Sequence, residues 1–528
     1  MQSDLVLFNG RIHTLDAKTP FATAVAVRDE RIVTVGEDAT ARETLRSGGE
    51  AVDLKGRCVI PGLTDAHLHF QWYAIGLQSV DAETPTLEEA LARVGERATL
   101  RATPPGAWIN GSGWNHNVWG GVLPTASDLD RVAPERPVVL SAKSGHALWV
   151  NSRALEIAGI TASTSDPAGG QIVRDARGQP TGILLEDAMD LVANVRPAHT
   201  AEQVAELMRA AFPLAQRAGL TGVHCFDGPE AFAAYQMLKQ RGELGLRVVK
   251  SIPRDNLNKA IELGLRSGFG DDWLRIGSIK LFADGALGPQ TAWMLEPFEG
   301  SSSVGISTLS EAEMAESVRR ANAAGLSCAI HAIGDRACRT VLDVYEEVGS
   351  RELRNRIEHV QLLHPQDYDR LGKLGVIASM QPIHATSDML ISDKYWGKRG
   401  AGAYAWRTQL NAGAALAFGS DCPVEKIDPL LGIHAAVTRR RADGSPGPDG
   451  WYPEQRLAVE EAVRGFTTGA AYAAGMEDRL GSITPGKLAD FTVLDRDIFK
   501  VVPMEILNAH VDATIIGGRF AWRAERLG

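Results

Sequence analysis

The alternation of apolar and polar positions divides the chain into three rhythms. Residues 4–54 carry short β-rich runs, such as Arg31-Ile32-Val33-Thr34-Val35, between turn signals at Asn9-Gly10 and Asp29-Glu30. Successive side chains of a strand face opposite ways, so this alternation predicts short antiparallel strands joined by hairpins. The far end repeats it. Phe491-Thr492-Val493-Leu494 follows Pro485-Gly486-Lys487, and residues 513–516 turn through Gly517-Gly518 into 519–522. Neither end has enough strands to close a core, and pairing the two into one small sandwich solves that problem.

From about residue 200 the rhythm changes. Amphipathic helical stretches at 201–218, 229–242, 310–324 and 336–348 alternate with β-rich runs at 219–226, 246–253, 273–284, 326–335, 354–363, 375–382 and 413–421. With the run ending at Leu63 there are eight. Such a βα repeat predicts an α/β fold, a closed parallel (β/α)8 barrel of the TIM-like kind. Residues 70–200 break the repeat, with one helical stretch at 87–100 and strand-like runs at 137–141 and 171–185. They read as an insertion after the first barrel strand, a lid-like subdomain over the barrel mouth. The expected division is therefore a composite β-sandwich from 1–56 plus 480–528, and a barrel over 57–479 with 70–200 inserted.

Composition narrows the class. The 528 residues are 44% hydrophobic and 23% charged, as in a soluble globular protein. A net charge of −10, with no basic cluster longer than Arg439-Arg440-Arg441, argues against nucleic acid or an anionic membrane as partner. No apolar run approaches the roughly 18 residues of a membrane span. The start, Met1-Gln2-Ser3-Asp4, lacks the pattern of a signal peptide. Five scattered cysteines suit a reducing compartment better than a disulfide framework. These features lead to the expectation of a cytoplasmic protein.

Chemistry enters at Val59-Ile60-Pro61-Gly62-Leu63-Thr64-Asp65-Ala66-His67-Leu68-His69. In an extended segment the side chains of His67 and His69 point the same way and can meet one metal ion. Barrel enzymes carry their chemistry at the C-terminal ends of the strands. His331 ends the fifth run there, His359 the sixth and Asp421 the eighth, while Lys280 sits inside the fourth. Imidazole and carboxylate suit Zn²⁺, Mn²⁺, Fe²⁺ or Ni²⁺. A lysine ammonium has no free lone pair, so Lys280 ligates only if deprotonated or chemically altered. His224, Gln381 and His384 end further runs and are candidates to face the mouth, as are Asp284 on a Gly-rich loop and Trp114, His116 and His146 of the insertion. His13, His199, His364, His434 and His510 are expected in surface or terminal positions.

The pattern resembles the metal-dependent amidohydrolase superfamily, in the branch that contains N-substituted formamide deformylase and related uncharacterised proteins. The resemblance rests on 59–69, 145–152, 280–288, 331–335, Glu358-His359, Ser420-Asp421-Cys422-Pro423 and 481–490. It implies one or two divalent metal ions, chiefly zinc. His67 and His69 would hold the more buried ion, His331 and His359 the second, and a carboxylated Lys280 would bridge them; a single-metal relative would leave Lys280 an ion-pair partner. Asp421 would ligate the first ion and shuttle the proton, while His146 or His116 would steady the oxyanion. Trp114, His116, Asp284 and Gln381 are the expected substrate-binding residues. The implied reaction is hydrolysis of a non-peptide C–N bond in an amide, formamide or cyclic amide by a metal-activated hydroxide. A deaminase or an esterase/lactonase on the same site is the alternative, and a catalytically silent binding or regulatory barrel is the non-enzyme reading. The partner is a small-molecule amide, with a homodimer as candidate assembly.

Overall fold

The computed structural model describes residues 2–99, 107–116, 118–142, 147–167, 170–288 and 290–527. It divides into two compact units, one of Met1–Tyr73 with Val204–Gly528 and one of Ala74–Gln203.

The centre of the first unit is an eight-stranded parallel, nearly closed barrel sheet. Its strands are Leu63–Leu68, Leu220–Cys225, Arg247–Pro253, Leu274–Phe282, Cys328–Ala332, Arg356–His359, Ile377–Met380 and Leu416–Phe418, each beside its neighbour in chain order. Seven of the eight runs counted in the sequence are barrel strands; the run ending at Leu63 forms instead strand Cys58–Pro61 of a terminal sheet, and the first barrel strand starts at Leu63 and carries His67. Parallel strands covered on both faces need apolar residues on both, and Leu220–Cys225 and Ile377–Met380 are buried throughout. Intervening helices supply the outer cover. Helix Glu311–Ala323 starts in a capping box between Ser310 and Glu313, and helix Asp335–Val348 turns Cys338, Val341, Leu342 and Tyr345 inward.

Two further sheets lie in the same unit. One orders Arg31–Gly36, Ala24–Arg28, Ser3–Phe8 and Leu45–Asp53. The other orders Arg519–Arg523, Val511–Ile516, Phe491–Leu494, Cys58–Pro61, Arg11–His13 and Phe21–Ala22. The two ends of the chain meet where Val493 pairs with Val59 and Thr492 with Ile60. Leu5, Leu7, Val25, Val59, Phe491, Val493 and Ile515 share one core, and each such side chain contributes about 1.5–3 kcal/mol when fully buried. Arg247 of the third barrel strand forms a two-pronged pair with Asp490, at 2.6 and 3.0 Å, and so ties this layer to the barrel.

The second unit is a six-stranded sheet ordered Gly170–Arg174, Pro180–Glu186, Ala147–Val150, Val138–Ala142, Ile109–Trp114 and Val80–Asp81. Helix Leu87–Thr99 contributes Leu91 and Val94 to its core, where Trp114 and Trp149 stand edge to face at 6.3 Å.

Candidate metal centre

The strand ends of the barrel converge on a cavity of roughly 450 Å³ whose wall includes His67, His69, Lys280, His331, His359 and Asp421. All six residues singled out in the sequence as metal-capable therefore share one space. Within it, donor atoms of His67, His359 and Asp421 lie within 4.8 Å of one another. The Nε2 atoms of His67 and His69 face the same oxygen of Asp421, at 3.5 and 3.7 Å. His331 stands beside His359, ring centroids 4.5 Å apart, and turns Nε2 to the Gly285 carbonyl at 2.9 Å.

Local backbone geometry aims these groups. His359 and Asp421 both adopt left-handed conformations, φ 75° and 60°, which non-glycine residues adopt rarely. The first strand is stitched to the end of the eighth, the Asp421 N–H donating to the His67 carbonyl and the His69 N–H to that of Cys422, each at 2.7 Å. Asp65, fully buried, accepts from the His67 N–H and from the Ser420 N–H and hydroxyl. Gly419 is obligatory between them, since a Cβ there would meet the His67 nitrogen at 2.5 Å.

Behind the histidines lies a set of supporting groups, of which Glu358 and Asp227 were given no role in the sequence. His67 Nδ1 donates to Glu358 Oε2 at 2.5 Å, and Arg356 clamps both oxygens of Glu358. His69 Nδ1 faces Asp227 Oδ1 at 3.3 Å, and Asp227 is held in turn by the Gln71 N–H and the Cys225 thiol. His359 Nδ1 donates to Gln381 Oε1 at 2.8 Å. Glu358 and Gln381 each accept from Nδ1 and leave Nε2 for the cavity, as metal-binding histidines require, and Asp227 faces the same side of His69 without a hydrogen bond. Glu358 adjoins His359 in the quoted stretch, but its contact with His67 depends on strand register, and Asp227 carries no sequence signal at all.

Electrostatics fit a cationic guest. Burial, then the nearby Lys280, depresses His67 well below the ordinary histidine value, and burial with His331 and His67 does the same to His359. Burial lowers His331 to about 3 and His384 to about 4, so both imidazoles are neutral. Burial raises Asp421 to about 6 against the lowering pull of His69 and Lys280. Burial lowers Lys280 to about 8, and its ammonium lies over the rings of Phe226 and Phe282 at 4.8 and 4.9 Å. Among the described residues no carboxylate comes within ion-pair distance of it. Neutral imidazoles with a carboxylate form an N/O donor set that fits a borderline divalent ion.

The other candidates fall elsewhere. Gln381 stands behind His359. Asp284 accepts from the Trp293, Ile333 and Gly334 N–H groups at 2.8–3.0 Å, and its Oδ1 stands behind His331, 3.5 Å from Nε2. Trp114 is a core residue of the second unit and donates to the Leu140 carbonyl, while His116 is half-buried in the same unit. His146 lies outside the described residues. His224 is buried inside the barrel, its Nδ1 accepting from Arg356. His13 and His434, expected at the surface, are buried, because the strand and the helix that carry them pack against C-terminal residues such as Asp497 and Met504. His384, a candidate from the sequence, lines the cavity: its Nε2 has no hydrogen-bond partner and faces Asp421 Oδ2 at 3.8 Å.

The model of the Amidohydrolase family matches residues 50–521. The chain belongs to the amidohydrolase family. It is 31% identical to the N-substituted formamide deformylase of Arthrobacter pascens over 99% of each chain. It is 35% identical to Protein LONG AFTER FAR-RED 3 of Arabidopsis thaliana, over 98% of this chain and 91% of that one. The crystal structure of an uncharacterized metal-dependent hydrolase from Pyrococcus furiosus superposes with a TM-score of 0.80 at 30% identity, covering 94% of this chain and all of that one. This amidohydrolase is a metal-dependent hydrolase that acts on carbon–nitrogen bonds. Among its described residues no helix is long and apolar enough to cross a membrane.

Proposed function

We propose that this amidohydrolase cleaves a non-peptide amide, formamide or cyclic amide, with His67, His69, His331, His359 and Asp421 as the metal-holding set. The supporting observation is Asp421, whose one oxygen faces the Nε2 atoms of both His67 and His69. A divalent ion held there, zinc by preference for this donor set, supplies a Lewis acid that acidifies water and polarises a carbonyl. A carboxylated Lys280 would add a bridging ligand for a second ion and would convert a buried cation into an anion.

The chain's own residues do the rest. Asp421, whose carboxylate faces His67, His69 and His384, is placed to accept a proton from the attacking water and return it to the departing nitrogen. Water adds to the carbonyl carbon, the C–N bond breaks, and the products are a carboxylic acid and an amine. Gln361 donates to His384 Nδ1 at 3.4 Å, which places the His384 proton on the unpartnered Nε2. That N–H is the donor for the developing oxyanion, the part expected of His146 or His116. Apolar walls from Trp72, Phe282 and Val424 suit a small-molecule substrate with an apolar substituent. The place of action is the cytoplasm.

The test is a hydrolysis screen of N-formyl, N-acyl and cyclic amides on metal-loaded protein, reading amine release. Turnover of esters or aminoheterocycles with none of amides would discard the reading. His384→Ala should lower kcat by about 10²-fold with little change in KM.

A further inference from the structure

A second cluster of metal-capable side chains lies in the terminal layer rather than at the barrel mouth. His13 ends strand Arg11–His13, Cys58 begins strand Cys58–Pro61, and Asp497 follows strand Phe491–Leu494. Arg11 is the register partner of Cys58, and His13, two residues on, shares its face; Leu494 pairs with Cys58 from the other side. Register thus brings three residues from distant parts of the chain to one point. Their donor atoms, one nitrogen, one sulfur and one oxygen, all lie within 4.8 Å of one another, and all three residues are buried.

Two details go beyond a packed histidine and carboxylate. Asp497 Oδ1 accepts from His13 Nε2 at 3.1 Å and from the Phe499 N–H at 3.2 Å, but Oδ2 has no hydrogen-bond partner. The Lys500 ammonium approaches Oδ2 only to 3.8 Å, from a largely exposed side chain. A buried carboxylate oxygen without a donor costs free energy that a cation would recover. Further, the His13 ring is fixed, stacked on Phe499 at 3.8 Å and edge-on to Phe21 at 5.3 Å, with its nitrogen toward the cluster. A ring so clamped spends little entropy on becoming a ligand.

We propose that His13, Cys58 and Asp497 form a second metal site, distinct from the barrel mouth, for a borderline-soft divalent ion such as Zn²⁺ or Co²⁺. With ligand bonds of about 2.0–2.3 Å, the donors of a tetrahedral ion stand roughly 3.3–3.8 Å apart. His13 Nε2 and Asp497 Oδ1, at 3.1 Å, are already near that spacing, and the pairs now up to 4.8 Å apart need close by only about 1–1.5 Å. Binding releases the Cys58 thiol proton to solvent and moves the His13 proton from Nε2 to Nδ1, which frees the lone pair. The ion would fasten two N-terminal strands to the C-terminal segment, and its role would be structural.

Cobalt distinguishes this site from the barrel centre, because a thiolate ligand adds an intense near-ultraviolet charge-transfer band that imidazole and carboxylate do not. Full-length protein titrated with Co²⁺ should develop that band. It should persist in His67→Ala and disappear in Cys58→Ser. Where Cys58→Ser does not fold, His13→Gln and Asp497→Asn should each move the band's Co²⁺ midpoint up by about tenfold or more. A wild-type titration without the band overturns the proposal. So does a band that survives Cys58→Ser, which would then belong to another thiol such as Cys422, and so do midpoints unchanged in both His13→Gln and Asp497→Asn.

Discussion

Replacing Glu358 by glutamine tests whether the buried carboxylate behind His67 serves the metal centre or only neutralises Arg356. The carboxylate accepts from His67 Nδ1 at 2.5 Å and from both Arg356 Nε and Nη2. Burial works to raise its pKa, yet the Arg356 guanidinium and the Lys280 ammonium outweigh it, so the group is held below its ordinary value and ionised. Glu358→Gln keeps the shape and one acceptor oxygen, and presents an NH₂ to whichever partner loses the other. A hydrogen bond to a charged group contributes about 1.5–3 kcal/mol against about 0.5–1.5 for a neutral one, a loss of about 1–2 kcal/mol in fixing the His67 ring. At 1.4 kcal/mol per factor of ten, metal affinity should fall by about 5- to 30-fold. The assay is a chelator competition titration of metal on Glu358→Gln and wild type. His224→Ala is the control, since it removes another Arg356 partner that hydrogen-bonds neither His67 nor Glu358. Affinity of Glu358→Gln within about twofold of wild type, with only a lower melting temperature, would refute the reasoning, since loss of a supporting partner typically costs about 10- to 100-fold.

Asp227→Asn should weaken metal binding in the same way through His69, read by the same titration. Lys280→Ala should lower metal content by about one equivalent, with short carboxylic acids restoring part of it; unchanged stoichiometry would make Lys280 a structural cation. Deleting residues 489–528 removes the strands that cover Cys58–Pro61, so amide exchange should accelerate across 4–35, whereas equal protection would mean independent folding. Burial lowers His434 to about 4 from 6.5, so its contribution to stability is fully present above pH 6.5 and is lost as pH falls toward 4. Between roughly pH 7 and 5 wild type should therefore lose about 2 kcal/mol more than His434→Asn, measured as the pH dependence of the urea midpoint.

The barrel was legible in the sequence because hydrophobic periodicity is a local property. A strand covered on both faces is rich in apolar residues wherever it runs, and Leu416–Phe418 shows this without reference to its neighbours. The metal-capable set was legible for a related reason: His67, His69, His331, His359 and Asp421 each sit at or near the end of such a run, and a parallel barrel collects its strand ends. Tertiary structure decided what stands behind them. Glu358 reaches His67 across 291 residues of chain, and the pairing of His13 with Asp497 spans 484. Such contacts follow from the register between strands and the closure of the sheet, which composition and periodicity do not encode. The same limit explains where Trp114 and Asp284 stand. Trp114 and Asp284 are residue types that often touch substrate, but Trp114 fills a core and Asp284 holds loop N–H groups, because burial rewards an aromatic ring and orphaned amides claim the nearest carboxylate.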